Sequence, residues 1–472
     1  MNKFLYDIIV IGAGSAGLSV SLFMAEVGLK TLVIDKTDFN IGGDCLNYGC
    51  VPSKALLHIA KIMSNAKKVI KNNEPSVDIN KAMEYVHERQ SKIRAHENAD
   101  FLISKGIDVE LGIARFFDKH SVVVNDKKFS AKKIVIATGS HPKKLYVEGI
   151  EQVTWYDNES IFDLNDLPEK MMIIGGGPVA AEMAFAFQNL GSDVTVVHRG
   201  DFILPKEERS ISEILMQQLK NNGIQFISNA EVKSFSNNNT ATITLQNGNK
   251  IERAADAFFI AIGRESDLKT LELDKAGIET KNNKIVNNKH LQTTNKNVFV
   301  GGDIAGRLKL SHGAEQHARL LLNNFFSPFK KSLNNDYMSW VIFTKPEVAT
   351  FGLLQKELEE KNISFEKLEL NFDEDDRATT DDYNYGKLIL FISKKLFAKQ
   401  KIVGGTMIAP NAGEMIQEFI LAMQAKLSIN QIFNKIYPYP VASRVNQQII
   451  VQYKQKALTA SLKNLLRFLF GL

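Results

Sequence analysis

The chain has 472 residues, with 58 lysines and arginines against 53 aspartates and glutamates, a formal net charge of +5. This length predicts about three domains, and the nearly balanced charge, without a basic block, argues against a nucleic-acid partner. No apolar run approaches the roughly 18 residues that cross a membrane, and a predicted strand at Tyr6 leaves no room for a secretory signal. Because the chain has only two cysteines, we expect a cytoplasmic protein without a disulfide framework.

The first predicted element is a strand over residues 8–11 that runs into a glycine-rich turn. Gly12, Gly14 and Gly17 have the spacing of a dinucleotide-binding turn, and a helical stretch and a second strand, residues 31–35, follow. In such a βαβ unit the glycines permit the tight turn, the approach of a pyrophosphate and the packing of helix on strand. The pattern predicts a mononucleotide-binding unit at the start of the chain.

The next informative segment, residues 42–54, contains both cysteines, Cys45 and Cys50. A bridge that closes so short a loop adds only about 2 kcal/mol to stability on the chain-entropy model, so a structural disulfide is a weak explanation. Pro52 suits the first turn of a helix, which places Cys50 near a helix N-terminus, where the dipole favours a thiolate. Two close thiols, one biased toward the anion, are typical of a redox couple rather than of two unrelated buried cysteines.

The glycine-rich unit recurs in the middle of the chain. A strand over residues 171–174 leads into Gly175 and Gly177, and a helix and a second strand, residues 194–197, follow. Ala180 stands at the third position, where a small side chain is sufficient for helix–strand packing. Two such units, each in its full context, predict two dinucleotide sites.

Three further apolar strands end in turns that contain small residues. They are residues 134–137 before Thr138 and Gly139, residues 258–262 before Gly263, and residues 298–300 before the turn that ends at Asp303. From about residue 336 the pattern changes to strands of alternating apolar residues followed by helices. This change predicts an α+β domain at the C-terminal end.

These motifs, in this order, resemble the class I, FAD-dependent pyridine nucleotide–disulfide oxidoreductases, which include glutathione reductase, dihydrolipoamide dehydrogenase and mercuric reductase. The resemblance covers nearly the whole chain, from Asp7 to about Val451. It implies an α/β fold with two Rossmann-like domains, for FAD and NAD(P), a C-terminal α+β dimerisation domain, and hence a homodimer. The implied boundaries are 1–150 with 272–335 for FAD, 151–271 for NAD(P), 336–453 for dimerisation and 454–472 for an amphipathic tail.

The resemblance also implies which residues hold the cofactors. The first glycine turn contacts the FAD pyrophosphate, and Asp35 takes the adenosine ribose hydroxyls, where the family more often has glutamate. Gly112 and Ala114 match the backbone contact to the adenine, and Asp303 matches the carboxylate that binds the ribityl chain. The implied cofactor-binding residues are Gly12, Gly14, Gly17, Asp35, Lys54, Gly112, Ala114, Thr138, Gly139, Gly175, Gly177, Ala180, His198, Arg199, Gly263 and Asp303.

Electrons are implied to pass from the nicotinamide through the flavin to a Cys45–Cys50 disulfide, and then to a substrate. Cys50 corresponds to the thiol that faces the flavin, and Cys45 corresponds to the interchange thiol that attacks the substrate. Lys54 lies about one turn into the helix and corresponds to a lysine that reaches flavin N5, with Glu182 as its ion-pair partner. The alternative interpretation of Lys54 is a solvated lysine on a helix surface.

The end of the second strand in the second βαβ unit normally selects the nicotinamide. A carboxylate there accepts the 2′-hydroxyl of NAD and repels the 2′-phosphate of NADP. Here the strand ends at His198 and Arg199 with no acid, and an arginine can bind a phosphate through two hydrogen bonds. NADPH is therefore the predicted coenzyme, with NADH, and a plain surface role for Arg199, as the alternatives.

The C-terminal segment departs from most of the family. Dihydrolipoamide dehydrogenase and glutathione reductase carry a His–Glu dyad that reaches into the partner subunit and moves the thiol proton. Here Tyr439 falls at the histidine position and Arg444 at the glutamate position. A tyrosine titrates near pH 10, so it is a poor general base at pH 7. Tyrosine at this position resembles mercuric reductase, yet no cysteine follows Cys50 to match the C-terminal cysteine pair of that enzyme.

The predicted activity is therefore a mercuric-reductase-like reduction of a small-molecule or metal-ion acceptor that reacts with thiols. Cys45, Cys50, Lys54, Glu182 and Tyr439 are its candidate catalytic residues, and no residue is assigned to a resident metal. A dihydrolipoyl dehydrogenase with an altered proton relay is one alternative, and a redox-sensing or docking flavoprotein bound to a membrane partner is another. Interface packing without a chemical role stays open for Tyr439.

The C-terminal tail carries leucines at helical spacing. They are Leu458, Leu462, Leu465, Leu466 and Leu469, with Lys463 and Arg467 nearby. A basic amphipathic tail over residues 458–469 can lie on a membrane surface or bind a membrane partner. Packing against the dimerisation domain is the alternative.

Overall fold

The computed structural model describes residues 4–70, 76–306, 309–394 and 399–471. The chain divides into two units, one of Met1–Arg199 with Asn229–Asn334 and one of Gly200–Ser228 with Asn335–Leu472. The first unit contains both glycine-rich turns and both cysteines, and the second contains the C-terminal segment and the tail. The NAD(P) domain, residues 151–271, is not a separate unit at this level, so its boundaries stay a prediction.

The strands are short, as is usual for α/β proteins, and the helices fall between them. In chain order the strands are β1 (Tyr6–Ile11), β2 (Thr31–Asp35), β3 (Asp108–Leu111), β4 (Arg115–Asp118), β5 (Ser121–Val124), β6 (Lys127–Ile136), β7 (His141–Pro142), β8 (Trp155–Tyr156), β9 (Lys170–Ile174), β10 (Asp193–Val197), β11 (Gln225–Ile227), β12 (Ala230–Ser236), β13 (Thr240–Leu245), β14 (Lys250–Ala254), β15 (Ala257–Ile260), β16 (Arg264–Glu265), β17 (Thr280–Lys281), β18 (Lys284–Ile285), β19 (Val298–Val300), β20 (Ser339–Ile342), β21 (Glu347–Gly352), β22 (Phe365–Asn371), β23 (Lys387–Ser393) and β24 (Ile402–Ala409). The α-helices are α1 (Ser15–Glu26), α2 (Gly43–Asn47), α3 (Cys50–Val69), α4 (Ile79–Arg94), α5 (Ala99–Ser104), α6 (Pro178–Leu190), α7 (Arg209–Asn221), α8 (Ser311–Phe326), α9 (Gln355–Glu360), α10 (Asp376–Thr380), α11 (Ala412–Met415), α12 (Gln417–Gln424), α13 (Ile429–Asn434), α14 (Val445–Lys456) and α15 (Ala460–Phe470).

The central strands of the main sheet in the first unit are apolar and buried on both faces, whereas β3 and β4 at its edges are partly exposed. Its order is β3-β2-β1-β6-β5-β4, and β19 also pairs with β6. β1 runs parallel to β2 and β6, so that Ile9 lies opposite Leu32 and Ile134, and all three side chains are buried. Strands covered on both faces need apolar residues at every position, which explains the unbroken apolar runs in the sequence.

β9, α6 and β10 repeat the arrangement of β1, α1 and β2. β9 and β10 pair in parallel, with Ile173 opposite Val196, and β15 pairs in parallel with β9. Pro178 begins α6, where its missing N–H removes no helical hydrogen bond. The α/β fold with two βαβ units, predicted from the repeated glycine pattern, is confirmed.

The second unit contains an antiparallel sheet in the order β20-β21-β24-β23-β22. Its core combines sheet side chains such as Phe351 and Leu390 with helix side chains such as Phe419 and Ile449. This arrangement confirms the α+β domain predicted from about residue 336. Strands that present one apolar face to helices show the alternating pattern seen in the sequence.

The tail forms the last helix, α15, in which no residue is buried. α15 contains Leu462, Leu465, Leu466 and Leu469 at the predicted helical spacing, whereas Leu458 lies before it, between α14 and α15. Within the described ranges, none of the helices combines the length and the apolar character that crossing a membrane would require.

Candidate active site

The first glycine turn, between β1 and α1, is closely packed on two sides. Gly12 has φ +98°, and a Cβ there would lie 2.4 Å from the Ala137 carbonyl oxygen at the end of β6. A Cβ on Gly17 would lie 1.9 Å from the Gly12 carbonyl oxygen. Neither position admits a side chain without movement of the backbone, so the turn holds the N-terminus of α1 close to the sheet, the arrangement that binds a pyrophosphate in dinucleotide-binding units.

Asp35, at the end of β2, faces this turn. Its carboxylate accepts hydrogen bonds from the backbone N–H of Ala13 at 2.6 Å and of Lys36 at 2.7 Å. Burial raises the pKa of Asp35, and these two backbone hydrogen bonds oppose the shift. The Gly112 N–H donates to the Asp35 carbonyl oxygen at 2.7 Å, and Ala114 is buried nearby in sequence. The structure thus brings the predicted pyrophosphate, ribose and adenine residues to one edge of the sheet.

The cysteine segment begins directly against the glycine turn. The Gly42 N–H donates to the Ala13 carbonyl oxygen at 2.9 Å, and a Cβ on Gly43 would lie 2.7 Å from the Gly14 Cα. The two motifs, separate in the sequence, therefore form one surface around the start of α1 and α2.

Cys45 lies within α2, and Cys50 is the first residue of α3. Both are free thiols; Cys50 is exposed and Cys45 is half-buried. The hydrogen bond from Cys45 lowers the pKa of Cys50 to about 6, and the Ser311 hydroxyl and the Lys54 charge also favour the thiolate. The same interaction with Cys50 raises the pKa of Cys45. The pair therefore consists of one thiolate and one thiol at neutral pH.

Ser311, the first residue of α8, was not identified from the sequence. Its hydroxyl oxygen lies 3.3 Å from the Cys50 sulfur. The contact joins residues 261 positions apart, and nothing in the local sequence marks it.

Lys54 and Glu182 form an ion pair between α3 and α6. The Lys54 ammonium lies 2.9 Å from the Glu182 carboxylate, and Glu182 is 5% exposed. A buried carboxylate requires such a partner, so this geometry argues against a lysine that is merely solvated. The pair holds a cation one turn from the thiolate of Cys50.

A hydrogen-bond network that sequence reasoning did not identify adjoins the thiols. The Arg264 guanidinium donates to the Asp44 carboxylate at 2.8 Å and to the Ser140 hydroxyl at 2.9 Å, and Ser140 donates to the Asp303 carboxylate at 2.5 Å. Asn158 also donates to Asp44, at 3.1 Å. Burial raises the pKa of Asp44, and the Arg264 charge opposes this. The network ties the residue before Cys45 to the predicted ribityl-binding carboxylate.

The turns after β6 and β15 support this network. Gly139 has φ +69°, and Ser266 donates to its carbonyl oxygen at 3.2 Å; the Thr138 nitrogen lies beside Gly12. Gly263 has φ +120° and accepts a hydrogen bond from the Lys143 N–H at 2.9 Å.

Three residues of this network are neighbours in the chain of predicted site residues. Asp44 precedes Cys45, Ser140 follows Gly139 and Arg264 follows Gly263. Their position beside predicted site residues is a signal from which the sequence could have indicated them.

The second glycine turn has the same construction as the first. A Cβ on Gly175, at φ +140°, would lie 2.3 Å from the Ala261 carbonyl oxygen, whereas a Cβ on Gly177 meets nothing within 4 Å. Ala180 is fully buried. The N-terminal end of α6 is thus open beside Gly177, as a pyrophosphate site requires.

The end of β10 carries charges of both signs. His198 is buried, whereas the Arg199 side chain is 78% exposed and lies 2.5 Å from the Glu231 carboxylate. Lys233 lies 2.6 Å from the same carboxylate. Sequence reasoning found no acid at the end of β10, and the structure brings one there from β12.

Tyr439, in the second unit, is two-thirds exposed. Its hydroxyl donates to the Asp376 carboxylate at 3.0 Å, and the Arg444 guanidinium lies 5.3 Å from its ring centroid. Arg377 donates to the Pro440 carbonyl oxygen at 3.3 Å. The hydrogen bond to Asp376 raises the pKa of Tyr439 above its ordinary value. Asp376 is a further residue that the sequence did not indicate.

Comparisons with known proteins support the sequence resemblance. Residues 6–318 match the family described as pyridine nucleotide-disulphide oxidoreductase, and residues 338–449 match the dimerisation domain of that family. A dihydrolipoyl dehydrogenase of Mycoplasma genitalium is 33% identical over 453 residues, which cover 93% of this chain and 96% of the relative. A mercuric reductase of Staphylococcus aureus is 28% identical over 441 residues, which cover 92% and 80%.

A solved structure resembles the whole chain. The Cu(II) complex of RclA, an HOCl-induced flavoprotein disulfide reductase from Escherichia coli, superposes with a TM-score of 0.82 at 26% identity, covering 96% of this chain and 100% of the other. The chain therefore belongs to the pyridine nucleotide-disulphide oxidoreductase family, whose members are FAD-dependent enzymes that use NAD(P)H.

Proposed function

We propose that this protein is an NADPH-dependent flavoprotein that reduces a thiophilic metal ion through Cys45 and Cys50. The observation that carries the proposal is the hydrogen bond between Tyr439 and Asp376, because it keeps protonated the residue that replaces the expected histidine base. The mercuric reductase relative and the Cu(II) complex of RclA, named above, point to the same class of acceptor.

The residues of the first unit fit FAD. The N-terminus of α1 follows tightly packed glycines, and the half-buried Asp35 carboxylate accepts a hydrogen bond from Ala13 in the same turn. Asp303 is held by Ser140 next to the cysteine segment. When bound, FAD supplies the two-electron chemistry that links a nicotinamide to a disulfide.

The two thiols differ in protonation state, which suits Cys50 to face the flavin and Cys45 to bind the acceptor. Reduction of the disulfide by two electrons and one proton leaves Cys50 as a thiolate and Cys45 as a thiol, because the pKa of Cys50 is lowered and that of Cys45 is raised. Lys54 stabilises the thiolate by its charge, and Glu182 holds Lys54 in place. A soft metal ion displaces the Cys45 proton to solvent as the sulfur–metal bond forms.

A metal ion also removes the need for a general base. Turnover of a dithiol requires a base that titrates near pH 7, whereas the pKa of Tyr439 is raised above its ordinary value near 10. In a homodimer of the kind that the 338–449 match indicates, we expect Tyr439 to face the thiols of the other subunit. There it would act as a hydrogen-bond donor and not as a proton acceptor.

A dihydrolipoyl dehydrogenase is the second candidate. It is favoured by the 33% identity to the Mycoplasma genitalium enzyme and opposed by the tyrosine and arginine at the dyad positions. A redox-sensing or docking role would need the same thiols but no turnover. The low cysteine content favours a cytoplasmic enzyme under each of these proposals.

The choice of NADPH rests on the charges at the end of β10. Arg199 and Lys233 share the single carboxylate of Glu231, so these three side chains together carry a net positive charge, which suits a 2′-phosphate.

Arg199→Gln should raise KM for NADPH about tenfold and leave KM for NADH nearly unchanged. Glu231→Gln, the matched change on the partner, should lower KM for NADPH. A rise in KM for NADH in Glu231→Gln would instead assign Glu231 to the ribose hydroxyls and favour NADH.

The acceptor is tested by a screen with enzyme that has been reduced beforehand. Hg(II), Cu(II), lipoamide, glutathione disulfide and a quinone are compared, each with NADPH and with NADH. We expect reoxidation by the metal ions to exceed that by the disulfides. Fast lipoamide turnover with NADH would contradict the proposal and establish the second candidate, and no turnover with any acceptor would favour the sensing role.

A further inference from the structure

The last helix, α15, is well formed but covers no core. The Thr459 side chain caps its N-terminus by accepting a hydrogen bond from the Leu462 N–H at 3.3 Å, and Gly471 ends it in a left-handed conformation. None of its residues is buried. Isolated helices of this length are marginal in water, so the apolar side of α15 needs a surface to cover it.

The leucines of α15 form one continuous face. Leu462, Leu465, Leu466 and Leu469 recur at intervals of three and four residues, which places them on one side of a helix, and they are 37–62% exposed. The aromatic rings of Phe468 and Phe470 flank this face and are 83% and 70% exposed. The polar side carries Lys463, Asn464 and Arg467.

The charged side chains in the segment that leads into this face are all basic. No aspartate or glutamate occurs anywhere in residues 419–472. The cations of the same stretch are Lys426, Lys435, Arg444, Lys454, Lys456, Lys463 and Arg467. Lys435 pairs with Glu418 at 2.6 Å, but the tail itself, residues 454–472, contains four cations and no acidic side chain. A basic segment next to an apolar face is complementary to a surface that is both negative and apolar.

We propose that α15 binds the surface of an anionic lipid bilayer and lies in the plane of the interface. Leucines and phenylalanines on one side and lysine and arginine on the other are the composition of interfacial helices. With 11 residues, α15 is too short to span a bilayer.

A second copy of this chain fits the face less well. Pairing two α15 helices through their leucines would leave Lys463 and Arg467 on the outer side of each helix, with Lys454 and Lys456 close by in each chain, and the α15 of a second copy offers these cations no carboxylate. A second α15 would therefore cover the leucines alone, whereas an anionic bilayer is complementary to both the leucines and the cations. None of the relatives' names given above refers to a membrane, so the proposal rests on this chain's own residues and does not depend on the acceptor.

The test uses the full-length enzyme loaded with FAD. Sedimentation with vesicles of phosphatidylcholine alone is compared with sedimentation with vesicles of equal parts phosphatidylcholine and phosphatidylglycerol. We expect binding only to the anionic vesicles, and its loss at about 1 M salt, where the Debye length falls to about 3 Å.

Two variants separate the faces of the helix. Leu465→Glu with Leu469→Glu should reduce vesicle binding at least about tenfold, and Lys463→Gln with Arg467→Gln should reduce it on anionic vesicles to a smaller degree. Phe329→Glu, which changes an 84% exposed aromatic residue outside the tail, is the matched control and should bind like wild type. All variants should keep the flavin spectrum and the melting temperature of wild type.

Three results would overturn the proposal. The first is equal sedimentation of wild type and the Leu465→Glu, Leu469→Glu variant with anionic vesicles. The second is no sedimentation of wild type at all. The third is a wild-type oligomer that dissociates to a smaller one in this variant, measured by size-exclusion chromatography with light scattering, without vesicle binding, because the leucine face would then be an interface between copies.

Discussion

At the scale of single residues, chemistry depends on contacts between positions that are distant in the chain. Cys45, Cys50 and Lys54 could be predicted because they share one short segment with a helix start. Ser311 and Asp376 could not, because each meets its partner only through the fold. Glu231 was missed for the same reason, and its position beside Arg199 refines the coenzyme prediction.

The lowered pKa of Cys50 predicts how the reduced enzyme responds to pH. The pKa is lowered to about 6, so the thiolate is almost fully formed at neutral pH, whereas the stability that it adds to the reduced protein is complete only above the ordinary thiol pKa. Both are lost as the pH falls through about 6. A thiolate beside an oxidised flavin gives a charge-transfer absorbance at long wavelength. We expect this absorbance of the reduced enzyme to be halved near pH 6, because it requires the Cys50 thiolate.

Ser311→Ala provides the variant for this titration. Loss of the hydroxyl removes one hydrogen bond from the thiolate, so the midpoint should move to higher pH. Cys50→Ser is the control and should show no such absorbance at any pH. An unshifted midpoint in Ser311→Ala would show that the Ser311 hydroxyl does not stabilise the Cys50 thiolate.

The Tyr439–Asp376 pair predicts a specific loss of acceptor reduction. Tyr439→Phe removes the hydroxyl that Asp376 orients, and we expect kcat with the metal acceptor to fall about tenfold, the equivalent of one hydrogen bond of about 1.4 kcal/mol. Asp376→Asn should produce a smaller fall. Flavin reduction by NADPH, followed by stopped flow, should be unchanged in both.

Tyr437→Phe is the matched control for this pair. Tyr437 donates to Glu418 at 2.6 Å within the same segment, and its loss should leave acceptor reduction unchanged. If Tyr439→Phe and Tyr437→Phe behave alike, Tyr439 has only a packing role.

At the scale of elements, the repeated βαβ units followed directly from the sequence. Each βαβ unit is specified by its own residues: the apolar strands, the glycine spacing and the helix between the strands. These local patterns can therefore be recognised without knowing how the rest of the chain folds. The packing of Gly43 against Gly14 was not predictable, because it depends on the path of the chain between β2 and α2.

The first unit predicts a strong difference between two glycine substitutions. A Cβ at position 17 would lie 1.9 Å from a backbone oxygen, whereas one at position 177 meets nothing within 4 Å. We expect Gly17→Ala to lower stability by about 3 kcal/mol or more and to weaken FAD retention. Gly177→Ala should keep the melting temperature of wild type. Equal melting temperatures for the two variants would contradict this prediction, because they would show that the backbone around Gly17 moves to admit a Cβ at little cost.

At the scale of the whole molecule, the sequence was sufficient for the fold class and the family but not for the acceptor. Two βαβ units, one thiol pair and a match to a dimerisation domain are the features on which the proposed path for electrons rests. Under the proposed function the acceptor depends on how Tyr439 and the thiols of two subunits meet, and no local pattern encodes that. The exposed helix α15 adds a surface that the family resemblance does not account for.

The central claim, that Cys45 and Cys50 form a redox couple in series with the flavin, is tested most directly by an anaerobic titration with NADPH. Wild type should take up about two equivalents per flavin, one for the disulfide and one for the flavin, because each is a two-electron couple. Cys45→Ser and Cys50→Ser should each take up about one. Uptake of about one equivalent by wild type, with the flavin bleached from the first addition, would contradict the account.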